Sequence, residues 1–281
     1  MKLKSIATLF IPIALFAPIG AQAFGPVSST NISDISISGG SYTVYEQTTP
    51  PTPTALGLLT LAPSDIANVK SVLMNSPSIP GNVQLGTPLP TPTITTMTVN
   101  FNNGTVASLS NLLLSDWTDN SDALVHSYIT AAGNSVGKTL TTSQLDAATT
   151  YFLTHEGVPG SGINVWQLAS NPSIATIKLV NGQIIVGQDG LLNPGNYLTH
   201  LLGVTAPTNA QASEVVKVTY NGNSQYQYSF SATPTGYATA DGSYNGRYQV
   251  PEPTTLLMLG LGFIGLAYWH RHNKRELALM A

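Results

Sequence analysis

The chain reads as a mainly β protein (α+β in class): a two-layer, β-sandwich-like domain with a small helical insertion, followed by a C-terminal transmembrane helix. Three observations predict this. Asn-Gly pairs stand between alternating apolar runs at three places, only 8% of the residues are charged although 42% are hydrophobic, and there is no cysteine in 281 residues. Asn-Gly tolerates the positive φ of a tight hairpin turn, so each pair flanked by alternation signals two antiparallel strands. Several hairpins require two layers, because a sheet must bury its apolar face against another element. Without disulfides the domain must be held by its core alone.

In chain order, Lys2 and Lys4 precede an apolar run from Ile6 to Ile19, and Ala21-Gln22-Ala23 offers the small residues that signal peptidase requires. Residues 1–23 are therefore expected to be a signal peptide, with the export translocon and signal peptidase as partners and Phe24 as the first mature residue. The β-rich exported domain is expected over 24–230.

Within it, Thr93–Phe101 and Thr105–Leu109 flank Asn103-Gly104, Ile174–Val180 and Gln183–Val186 flank Asn181-Gly182, and Val216–Tyr220 and Tyr226–Phe230 flank Asn221-Gly222-Asn223. Three helical patterns interrupt the β signal. Ser64 is positioned to cap 65–74, with Ile66, Val69 and Leu73 on one face, and Asp119 or Ser121 to cap a helix joining Leu124, Val125, Tyr128 and Ile129. Thr141 and Gln144 form a capping-box pattern ahead of Leu145, Ala148 and Phe152. Proline-rich stretches at 48–54 and 87–92 read as extended linkers, and the Gly/Tyr/Ser/Thr-rich stretch 231–249 as a flexible linker to the tail.

The tail is the most specific segment. Pro251-Glu252-Pro253 is a stiff extended tripeptide, since two prolines fix φ around Glu252. An uncharged apolar helix over 254–269 follows, ending in the interfacial residues Tyr268 and Trp269, and then a basic stop at Arg271, Lys274 and Arg275 that suits the cytoplasmic side. A short or tilted span fits this length. Residues 250–275 resemble the PEP-CTERM sorting signal that exosortases recognise, with Glu276–Ala281 continuing past the basic cluster. The resemblance implies export across the inner membrane of a Gram-negative bacterium that makes exopolysaccharide. It also implies transient anchoring of the precursor in that membrane and cleavage by an exosortase, with delivery to the cell surface or extracellular matrix.

Charge excludes one class of function. Between residues 24 and 250 the basic residues are Lys70, Lys138, Lys178, Lys217 and Arg247, too few and too scattered to neutralise a phosphate backbone, so nucleic acid is not expected as a partner.

Candidate chemistry elsewhere is sparse. Gly133-Asn134-Ser135-Val136-Gly137 has the spacing of a nucleophile elbow, which makes Ser135 the candidate nucleophile of an alternative reading as a secreted hydrolase. The overlapping stretch to Lys138 and Thr139 fits a relaxed phosphate-loop pattern, but a helix pattern precedes it where a strand is required. Asp116, Asp119 and Asp122 could offer oxygen ligands to Ca²⁺, although acidic residues also suit a helix N-terminus. Thr91, Thr93 and Thr95 alternate as in a flat ice- or polysaccharide-matching row. His126, His155 and His200 are too dispersed to assert a metal site, and no cofactor is expected.

The expected function is therefore that of an exported surface or matrix protein, non-enzymatic, structural or adhesive, and associated with exopolysaccharide through polar faces and aromatic edges such as Tyr226, Tyr228, Tyr237, Tyr244 and Tyr248.

Overall fold

The computed structural model describes residues 31–250 except 51, 53–56, 75–80, 88–90, 181, 193–198, 200–201, 204, 206–209, 235–236 and 240–243. The strands β1 (Ile32–Gly39), β2 (Tyr42–Thr49) and β3 (Gly57–Ala62) precede α1 (Ile66–Met74) and β4 (Gly81–Leu85). Then β5 (Thr95–Phe101) and β6 (Val106–Ser110) lead into α2 (Leu114–Ser135), α3 (Thr142–Thr154), the short pair β7 (Glu156–Val158) and β8 (Ile163–Asn164), and α4 (Val165–Leu168). The remaining strands are β9 (Ser173–Val180), β10 (Gln183–Leu192), β11 (Gln211–Ala212), β12 (Val216–Tyr220), β13 (Asn223–Gln227), β14 (Thr233–Pro234), β15 (Tyr237–Thr239) and β16 (Tyr244–Val250).

These strands build a 5-stranded sheet in the order β1-β5-β6-β12-β13 and a 9-stranded sheet in the order β14-β16-β10-β9-β4-β2-β3-β15, with β11 alongside β10. One core joins them. Ile35, Met97, Val99 and Val218 of the first sheet pack with Val44, Val83, Ile177 and Val186 of the second, and Val69, Val72 and Leu73 of α1 close the same cluster. The chain is thus mainly β with two sheets and few helices, consistent with a β-sandwich-like domain.

All three expected hairpins form. Val180 pairs with Gln183 across the second Asn-Gly, Tyr220 with Asn223 across the third, and Asn100 with Val106 across the first. Asn221 and Gly222 both take positive φ, 51° and 76°, as a type I′ turn demands, while Gly104 and Gly182 sit at 83° and 79°. The turn residues and the alternation agree, so local chemistry sets the register.

The helical patterns hold with two adjustments. Asp65, not Ser64, caps α1, its Oδ1 accepting from the Asn68 backbone N–H at 2.9 Å. The helical stretch of α2 begins before the expected cap and breaks at Asp119–Asp122, where Asn120, Ser121 and Asp122 take φ of 49°, 56° and 63°. Short polar side chains are among the few that tolerate this region. Thr141 and Gln144 do form a reciprocal capping box at α3. Helices α2, α3 and α4 share a second core in which Trp117, Tyr128 and Phe152 meet edge to face or tilted, with the Trp117 and Phe152 rings 4.8 Å apart. Trp117 Nε1 donates to Ser170 Oγ at 2.8 Å, so its one polar atom is satisfied inside that core.

The stretch read as a flexible linker, 231–249, needs correction: β14, β15 and β16 lie within it, and β16 runs antiparallel to β10 from Val186↔Val250 to Leu191↔Tyr244. The strand residues Tyr244, Tyr248 and Val250 are of β-favouring types, a signal that the surrounding Gly, Ser and Thr obscured. Among the described residues no helix is long and apolar enough to cross a membrane, and the expected span at 254–269 lies outside them.

Candidate functional site

The register brings the three hairpin tips toward one end of the domain. Ala107 pairs with Tyr220, which sets the 102–105 loop beside the Asn221-Gly222 turn. The Asn102 backbone N–H donates to the Asn31 carbonyl at 2.7 Å, which draws the start of β1 to the same place. Tyr220 continues the inward row Val216–Val218 of the first sheet, and Leu179 continues Ile177 of the second, so both extend the core to its open end.

Between them lies a shallow pocket of about 250 Å³, lined by Asn31, Asn102, Asn103, Leu179, Gly182 and Tyr220. Its size falls just below the range of about 300–1,000 Å³ usual for small-molecule sites. The described lining residues are uncharged, three asparagines beside Leu179, Gly182 and Tyr220. Asn103 Oδ1 accepts from the Thr105 N–H at 3.1 Å, whereas the side-chain amides of Asn31 and Asn102 have no hydrogen-bond partner among the described residues. Each amide offers both donors and an acceptor, which matches a hydroxyl-rich neutral ligand, and the Tyr220 ring supplies an apolar wall.

The residues singled out in the sequence are placed elsewhere and are not gathered into one site. Ser135 lies at the end of α2, where its Oγ donates to the Ala132 carbonyl at 2.7 Å. The Gly-rich stretch around it is a Schellman C-cap: Lys138 N–H donates to Gly133 O at 2.8 Å, Gly137 N–H to Asn134 O at 3.1 Å, and Gly137 takes φ 74°. A Cβ on Gly133 would come within 2.7 Å of the Lys138 carbonyl, so glycine is required there by close packing. The residues preceding Ser135 are helical, and neither the strand of a nucleophile elbow nor that of a phosphate loop is present.

Asp116 is committed to structure. It accepts from Lys217 Nζ at 2.8 Å and from the Tyr226 hydroxyl at 3.0 Å through Oδ1, and from the Leu113 N–H at 2.9 Å through Oδ2. Burial, reinforced by the Asp116 hydrogen bond, holds the Tyr226 phenol well above its ordinary pKa. Tyr228 is raised by burial too, against the opposing effect of its bond to Ser127. Asp119 and Asp122 do not join Asp116, and no group of three His, Asp or Glu able to hold a metal occurs among the described residues. The Ca²⁺ reading is thereby corrected.

The threonine row fails for a related reason: Thr95 is fully buried and donates to the Ser41 carbonyl at 2.8 Å, which leaves no flat solvated face. Tyr226 and Tyr228 pack against the helical core and do not form a free aromatic edge. His155 stacks on Tyr151 with ring centroids 4.3 Å apart. His200, the signal-peptidase residues Ala21 and Ala23, the tripeptide Pro251-Glu252-Pro253 and the basic stop Arg271, Lys274 and Arg275 lie outside the described residues.

Comparison with known proteins bears on the tail. Residues 249–271 match the family model described as the PEP-CTERM protein-sorting motif. The motif implies an exported protein whose membrane-anchored precursor is processed by an exosortase. No curated protein and no solved structure matches the chain significantly.

Proposed function

We propose that this is an exosortase-processed surface or matrix protein, made with a cleaved signal peptide at 1–23, whose domain acts by adhesion and without catalysis. The match at 249–271 carries the reading. The anchor would hold the precursor transiently in the inner membrane, and cleavage at the Pro-Glu-Pro tripeptide would pass the β-rich domain to the cell surface or matrix. The uncharged pocket among Asn31, Asn102 and Tyr220 supports a neutral saccharide, such as a unit of an exopolysaccharide, as the ligand. Affinity at a pocket this small would be modest per site, so retention in a matrix would rest on many copies engaging one polymer.

Replacing Glu252 with Gln tests the route. The expected outcome is a precursor that stays in the membrane fraction at full length, followed by immunoblot. Cleavage unchanged by the substitution would reduce the tail to a plain anchor.

A further inference from the structure

The outward face of the first sheet carries hydroxyls in register. Ser36 pairs with Thr98, Thr98 with Ser108, Ser108 with Thr219 and Thr219 with Ser224. One row therefore crosses all five strands with a hydroxyl at every position. Side chains alternate between the two faces of a strand, and the chain neighbours Ile35, Val99, Ala107 and Val218 belong to the core between the sheets. The row thus faces outward, with Ser36 and Ser224 exposed and Thr98, Ser108 and Thr219 half-buried. Ser38, Thr96 and Ser110 form a second row beside it.

Two features mark this face as more than a solvated surface. Thr219 and Ser224 bond to each other at 2.8 Å, but the hydroxyls of Ser36, Thr98, Ser108 and Ser110 have no partner among the described residues. Ser110 is only 8% exposed, and its register opposite Thr96 and Lys217 aims it out of this same face. An unmet hydroxyl at that depth carries a desolvation cost that a ligand's hydrogen bond would recover. The charges bordering the rows, by contrast, are already paired: Lys217 Nζ meets Asp116 at 2.8 Å, and Asp34, opposite Asn100, meets Lys70 Nζ at 2.6 Å. What the face offers is donors and acceptors without net charge, which complements a neutral, hydroxyl-rich partner and not a polyanion.

We propose that the outward face of the five-stranded sheet is a second binding surface, on which a neutral polysaccharide chain lies across the strands along the row from Ser36 to Ser224. The inference rests on the adhesive reading and says where the polymer runs. Neighbouring strands stand about 4.8 Å apart, so the five hydroxyls span about 19 Å, room for several linked sugar rings. The pocket adjoins the same sheet, since Asn102 follows Asn100 of β5 by two residues. Weak contacts at the face and the pocket reinforce each other when one chain engages both.

Retention of the full-length chain, held in detergent micelles, on cellulose and crosslinked dextran beads tests this, with alginate beads as the acidic counterpart. The parent is expected to be retained on a neutral bead and not on alginate. The triple variant Ser36→Ala/Thr98→Val/Ser108→Ala removes three hydroxyls and is expected to weaken retention about tenfold or more at the parent melting temperature. Thr98→Val alone, which matches the shape of threonine, is expected to weaken it about threefold and serves where the triple variant does not fold. The swap Thr98→Ser/Ser108→Thr keeps every hydroxyl and is expected to bind as the parent does. Retention equal to the parent's in the folded valine variants, or lost in the swap, overturns the face as a hydroxyl-reading surface and leaves the adhesive reading standing. Retention on alginate alone overturns the neutral partner. A parent retained on none of the beads overturns the adhesive reading itself, so the failures are distinguishable.

Discussion

Where β6 leaves the first sheet, the chain spends residues 111–171 on helices and an aromatic second core before β9 returns it to the second sheet, whereas β5, β9 and β12 turn back at the other end through short Asn-Gly loops. The helical region buries Trp117 and Phe152 almost completely. The hairpin end leaves Asn31, Asn102 and Asn103 exposed around an open pocket, and Val250 runs toward it as the chain approaches the sorting motif. One region is built to stay shut; the other carries the features that a partner could meet. On the proposed reading, stability and recognition are spatially separated in this domain, which lets the hairpin end vary at small cost to the fold.

The sharpest way to break that comparison is to cut the helical core. Trp117→Ala removes a fully buried ring, its contacts with Tyr128 and Phe152, and its bond to Ser170. A loss of about 3–5 kcal/mol is expected, measured by urea unfolding of the soluble domain. A loss under about 1 kcal/mol would mean that the helices are an accessory and that the two sheets alone carry the stability.

Proton linkage gives a second, smaller test of the same region. Tyr226 is held protonated in the folded state by burial and by its bond to Asp116, and Tyr228 by burial. Both folded pKa values lie above the unfolded value near 10, so this contribution to stability is fully present below about pH 10 and is lost as pH rises through the folded values. The melting temperature should fall between about pH 10 and 12, and Tyr226→Phe should flatten that fall. An unchanged slope in the variant would assign the alkaline loss to other groups.

What was legible in the sequence followed from chemistry that is local. Asn221-Gly222 carries its own backbone preference, and the Thr141/Gln144 box closes within one turn, so both could be read without knowing the fold. Local readings were less decisive where one pattern serves two geometries. The glycine spacing around Ser135 suits a nucleophile elbow or a helix C-cap, and only the helix preceding it decides between them. At β16 the local composition argued for a tether, yet β10 and β14 supply partners from elsewhere in the chain. The pocket was unreadable because it depends on which tips share an end, and that follows from long-range register such as Ala107 opposite Tyr220. The sorting tail was readable throughout because it is addressed to another protein as a linear peptide and does not depend on the fold.

The smallest stability effect should come from the hairpin end, and it separates the two regions most cleanly. Asn102 is exposed, and its side-chain amide bonds to no other described residue, so Asn102→Ala should change unfolding stability by no more than about 0.5 kcal/mol. It nevertheless lines the pocket, where its amide can offer a donor and an acceptor. In a polysaccharide pull-down with the soluble domain, the variant should therefore lose retention while keeping the parent melting temperature. Retention equal to the parent's would remove this pocket from the adhesive reading, and a large fall in melting temperature would show that the hairpin end contributes to stability as the helical region does.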